Sequence, residues 1–141
     1  IRLTSHSEEQ IRTKAWEALI NTPVDDIDEL IKLAHDANSK ESWSSLWAKE
    51  LTEDQIQKLN ETLRSQVIKS AGLISLLGEK GNEDTFNMLL EIPVQKSSDV
   101  NFELSFAIGK LAGNLNITEQ QQVEVIERAF IEFVIMKISN N

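Results

Sequence analysis

Between residues 100 and 112 the apolar side chains fall at Val100, Leu104, Ala107, Ile108 and Leu111, offsets of 0, 4, 7, 8 and 11 that line one face of an α-helix. Ala107 and Gly109 are small there, which leaves room for a second helix to approach. The same periodicity recurs in Ile27, Leu30, Ile31 and Ala34, in Ile56, Leu59 and Leu63 followed by Val67, Ala71 and Ile74, and in Val123, Ile126, Phe130, Phe133 and Val134. No stretch alternates with period two for long enough to form a strand, and the β-branched run Phe133-Val-Ile-Met136 belongs to a segment of helical length. The pattern predicts helices over 7–21, 25–37, 42–50, 53–78, 82–92, 99–113 and 118–138. A break is expected in the fourth near residues 60–63, because Asn60 and Thr62 are weak helix formers.

Punctuation supports these elements. Ser7-Glu-Glu-Gln10, Thr52-Glu-Asp-Gln55 and Thr118-Glu-Gln-Gln121 each have the form of a capping box, and Asn82 before two acids is a fourth N-cap. Asn21-Thr-Pro23, the pair Gly78 and Gly81, Pro93 and Gly113-Asn114 read as stops.

Three segments align. Ile11-Arg12 with Ala15, Ala18 and Leu19 matches Leu63-Arg64 with Val67, Ser70, Ala71, Gly72 and Ile74, and both match Val100-Asn101 with Leu104, Ala107, Ile108, Gly109 and Leu111. Each is followed by a turn signal and another amphipathic helix. The pattern resembles the HEAT-repeat family, whose helix typically reads Val-Arg-x-x-Ala-x-x-Ala-Leu-Gly-x-Leu. The third segment matches best, though Asn101 stands where the family prefers Arg, and the first lacks the Gly. The resemblance implies an all-α fold of antiparallel helix pairs stacked as a short right-handed HEAT/armadillo-like solenoid. The chain would be one repeat domain over 1–141, with units near 7–37, 53–92 and 99–138. Arg12 and Arg64 would then pair with acids on a neighbouring turn.

The registers begin at 11, 63 and 100, so the first spacing is 52 residues. That exceeds the usual ~40–47 of such repeats. The surplus falls in an insertion, 38–52, with Trp43, Leu46 and Trp47 at helical spacing. Trp43 and Trp47 either fold onto the repeats or serve as anchors for a partner.

Composition narrows the function. The chain has no cysteine and a net charge of −9. Its acids are spread evenly, with 12 acidic and 7 basic side chains in residues 1–60 and 11 and 7 in residues 61–141. Such a surface repels nucleic acid and anionic membranes. No apolar run reaches a spanning length, no secretory leader is visible, and the first residue is Ile1, so the expectation is a cytoplasmic fragment of a larger protein. His6 and His35 have no metal spacing, and the acidic pairs sit at helix starts, where capping explains them. No phosphate loop or nucleophile elbow is present. Neither a cofactor, a metal nor a catalytic group is expected.

The last predicted helix is apolar nearly all round from residue 129, so it should be covered on several sides, by further repeats, a dimer partner or a neighbouring domain. Phe130, Phe133, Ile135 and Met136 are its candidate interface. The reading that results is a non-catalytic scaffold binding another protein or a peptide. A groove of successive helices would present Lys14, Glu17, Lys69, Glu103 and Lys110 outward, with Trp43 and Trp47 as anchors. Two other readings are a regulatory domain of a larger enzyme, such as a peptidase or a nucleotide-switch ATPase, and a small acidic inhibitor or immunity-type protein.

Overall fold

A computed structural model of the chain describes residues 6–20, 27–36 and 50–139. Among these the protein is all-helical, with no strand: α1 Glu9–Ile20, α2 Ile27–Asp36, α3 Glu53–Ser65, α4 Ala71–Lys80, α5 Glu83–Glu91, α6 Ser98–Asn114 and α7 Glu119–Ser139. For α1, α2, α5, α6 and α7 the expected boundaries differ from these by no more than two residues. The helix expected over 42–50, with Trp43 and Trp47, lies outside the described residues, as does the stop at Asn21-Thr-Pro23.

The segment 53–78 departs from expectation. It forms two helices, and the break falls at 66–70 instead of 60–63. Asn60 is buried inside α3, where its amide oxygen accepts the Thr85 hydroxyl at 2.8 Å, so a contact with α5 offsets its weak propensity. The chain turns out of the helix at Gln66, which is extended. Lys69 closes α3 by donating from Nζ to the carbonyls of Leu63 and Arg64 at 2.9 and 3.1 Å. Ser70 then caps α4, its hydroxyl accepting the Leu73 N–H at 3.3 Å. Leu63-Arg64 and Ala71-Gly72-Ile74 therefore belong to different helices, and the second register of the repeat is not one helical face. Val67, placed in the core by periodicity, sits in the connection and is 94% exposed.

The caps at Thr52, Asn82 and Thr118 form as expected. At α7 the Thr118 hydroxyl accepts the Gln121 N–H at 3.1 Å, while Gln121 Oε1 accepts the Thr118 N–H at 2.8 Å. Thr118→Ala is expected to lower stability by about 1 kcal/mol; an unchanged urea midpoint by circular dichroism would contradict this role. At α1 a different device replaces the Ser7–Gln10 box: His6 Nδ1 accepts the Glu8 N–H at 3.1 Å. Arg12 turns to carbonyls instead of acids, donating to those of His6 and Ser7 at 2.8 Å each.

The helices contact one another in two rows. α2 packs on α4 and α4 on α6; α3 packs on α5 and α5 on α7. Contacts of α2 with α3, α3 with α4 and α5 with α6 join the rows. Among the described residues the most extensive contact is between α4 and α6. α4 is buried from Gly72 through Gly78, which is why its sequence is apolar on every side. Around it lie Leu30 and Ala34 of α2, Leu59 and Leu63 of α3, Phe86 and Leu89 of α5, and Leu104, Ile108 and Leu111 of α6. Each such leucine or isoleucine contributes about 1.5–3 kcal/mol on burial.

The end of α4 at Lys80 falls between Gly78 and Gly81, with Gly78 inside the helix. A Cβ added there would lie 2.8 Å from the Ala107 Cβ and 2.9 Å from its Cα, so α4 and α6 touch backbone to backbone at this point. Ala107 is thus a helix contact, as its size suggests. Gly109 is not: it is exposed, with nothing within 4 Å of an added Cβ. Helix α4 ends at Gly81, where an added Cβ would collide with the Leu77 carbonyl and the Thr85 side chain.

Candidate partner-docking surface

Helix α7 is 21 residues long, yet among the described residues its buried members are the polar Gln121 and Arg128. Polar contacts hold it in place. Gln121 Nε2 donates to Asn87 Oδ1 on α5 at 2.9 Å, and the Ser105 hydroxyl on α6 donates to Glu132 at 2.5 Å. The central tie is Arg128. Its Nε donates to Glu132 at 3.1 Å, one turn along α7. Its Nη1 donates to the carbonyls of Leu89, at 3.5 Å, Leu90, at 3.4 Å, and Ile92. These carbonyls end α5, so the guanidinium caps that helix at the negative pole of its dipole. Burial pushes the guanidinium below its ordinary pKa, and the charge and hydrogen bond of Glu132 oppose that shift. An arginine remains cationic under such a shift at neutral pH.

With Arg128 turned toward α5 and Val125 packed against the core, most apolar residues of α7 face outward. Val123, Ile126, Phe130, Ile131, Phe133, Val134, Ile135, Met136 and Ile138 are all exposed, Phe130 and Ile126 by 66% and 69%. Within the described residues this helix is left largely uncovered. Phe102 and Phe106 of α6 are a second exposed apolar pair. Their rings stack at 6.3 Å between centroids, and both are exposed.

Two hollows flank the outer face of α5. A groove of about 780 Å³ lies between α5 and α7, lined by Leu90, Ile92, Val94, Ile131 and Ile135, with Glu91, Glu124 and Glu127 among its polar residues. A smaller hollow of about 300 Å³ lies between α3 and α5 and is lined by Gln57, Asn60, Arg64 and Asp84. Asn87 and Glu91 line both, so the two are contiguous. The amide Nδ2 of Asn60 is buried beside the smaller hollow without a hydrogen-bond partner.

Few of the expected contact residues lie on this surface. Ile135 lines the groove, and Phe130, Phe133 and Met136 are exposed elsewhere around α7. Lys137 Nζ covers the Phe133 ring at 5.5 Å. Lys14 is exposed on α1, and the side chain of Glu17 lies outside the described residues. Lys69 closes α3, as described above. Glu103 is buried instead of pointing outward, and Lys110 pairs with Glu79 of α4 while lying 5.7 Å above the Phe106 ring. Both belong to the α2–α4–α6 row, whereas the groove lies on the α3–α5–α7 row. Arg64 meets acids only as a neighbour in the smaller hollow, where Asp84 and Glu91 also lie.

Arg128, Phe102 and Phe106 were not singled out by periodicity. Their signals are visible afterwards: a cation four residues before Glu132 at the edge of an apolar run, and two aromatics one turn apart off the Val100 stripe. Among the described residues no group of three His, Cys, Asp or Glu side chains could hold a metal ion, and no helix is long and apolar enough to cross a membrane. Neither a known protein family, nor a curated protein, nor a solved structure matches this chain.

Proposed function

We propose that this chain is a non-catalytic protein-interaction segment, built as a short HEAT/armadillo-like solenoid that presents the α3–α5–α7 row to a partner. The observation that carries the reading is the exposure of nine large apolar side chains on one helix, α7. Exposed apolar surface on this scale marks an interaction site, since water-facing helices ordinarily keep such residues on one covered stripe. The two rows of contacts support the solenoid: among the described residues, α2 through α5 each pack on the next helix but one, as in stacked helical pairs. The rigid core around α4 would hold the docking row in a fixed curve while the partner supplies the missing cover.

A photo-crosslinking amino acid in place of Phe130, with one in place of exposed Lys32 on α2 as control, tests the proposal in cells. The expected result is one discrete adduct at position 130 and none at 32. The partner, identified by mass spectrometry and purified, then binds the chain stoichiometrically. The double substitution Phe130→Glu and Ile131→Glu weakens that binding at least about tenfold and leaves the helical signal intact. Adducts at both positions, or at neither, contradict the proposal.

A further inference from the structure

We infer that the groove between α5 and α7 receives an amphipathic helix of a partner protein whose polar flanks are basic. This rests on the interaction role proposed above and adds the chemistry of the partner. The floor is aliphatic, with Leu90, Ile131 and Ile135 spaced along two helices, and suits the apolar face of a third helix. Among the described residues there is no strand, so no sheet edge is offered for an extended peptide.

Charge selects the occupant. Glu91 and Glu127 are exposed and Glu124 is half-buried, all three lining the groove. Asp84 lies beyond them in the contiguous hollow. The one cation in the groove lining among the described residues, Arg128, is turned to the carbonyls of α5 and to Glu132, so it does not neutralise the rim. A helix carrying Lys or Arg on either side of its apolar stripe meets these carboxylates, whereas an acidic helix is repelled. The same argument disfavours a second copy of the chain, because each copy carries a net charge of −9.

The test uses the whole chain and three fluorescent helical peptides of about 18 residues. All share one apolar stripe, and their polar faces are built from Lys and Arg, from Gln and Ser, or from Glu. Anisotropy titrations are expected to show the basic peptide binding at least about tenfold more tightly than the neutral one, with the acidic one weakest. Raising the salt from ~0.05 to ~0.5 M should erode that preference. The triple variant Glu91→Gln, Glu124→Gln and Glu127→Gln removes the preference. Asp54→Asn, Glu61→Gln and Glu83→Gln, which change the net charge equally on α3 and at the start of α5, keep it. Ile131→Asp abolishes binding with circular dichroism unchanged.

Equal binding of the three peptides, binding of none, or loss of preference in the distant triple variant overturns the inference. So does sedimentation that shows a dimer which the basic peptide fails to dissociate. If the crosslink at position 130 identifies a partner while the peptides show no basic preference, only this inference falls; if neither appears, the interaction role falls with it.

Discussion

Replacing Gly78 with alanine is expected to destabilise the protein by about 1–3 kcal/mol, the usual cost of overpacking. Elsewhere in a helix the same change stabilises by roughly 0.5–1 kcal/mol, because glycine loses the most freedom on folding. The sign reverses here because the new methyl would sit 2.8 Å from the Ala107 Cβ and 2.9 Å from its Cα, so α4 and α6 must separate. Their contact is the most extensive among the described residues, and Leu77, Leu104 and Ile108 loosen with it. Adding Ala107→Gly should recover only part of the loss, since the contact with the Cα remains. Gly109→Ala is the matched control: its Cβ meets nothing within 4 Å, and a gain of roughly 0.5–1 kcal/mol is expected. Urea denaturation of the three variants decides the matter, and a shift in the same direction for Gly78→Ala and Gly109→Ala would refute the account.

Arg128→Ala is expected to cost about 2–3 kcal/mol and to release α7 first. An unsatisfied buried acceptor costs about 1–3 kcal/mol, and the substitution strips Nη1 from the carbonyls of Leu89, Leu90 and Ile92 together. The loss is less than a sum of three because the buried guanidinium has itself given up hydration, which is what lowers its pKa. Arg128→Lys should rescue little. One ammonium cannot reproduce a fork that holds Glu132 on one side and the end of α5 on the other. The measurement is amide hydrogen exchange along α7 in both variants. Protection lost in α7 before α4 supports the role, and uniform loss across the protein sinks it.

Much of the helical framework was legible in the residues, because capping and period-3.6 stripes are local signals. Thr52, Asn82 and Thr118 begin helices where their side chains say they should. What periodicity could not see was tertiary. Asn60 looks like a breaker, yet a bond to Thr85 from another helix keeps it inside α3. Gly78 and Gly109 look alike in the chain, and only the approach of α6 to α4 separates them. The apolar character of α7 was readable and pointed to an interface, but the groove was not. It depends on Arg128 reaching carbonyls 36 to 39 positions away, a pairing that no spacing rule encodes. The outward position assigned to Glu103 failed for the same reason: a stripe tells which residues share a face, not which row that face joins.

The two rows also bear on how the chain reaches its fold. Among the described residues the extensive contacts of each helix are with the next helix or the next but one, which keeps down the entropic cost of closing the chain. Low contact order of this kind goes with rapid folding. Assembly can grow outward from the α4–α6 pair, adding one helix at a time, with α7 docking last through contacts that are mainly polar. Ordering of its outer turns would then coincide with binding, and the cost of that ordering would be met by the partner that covers them.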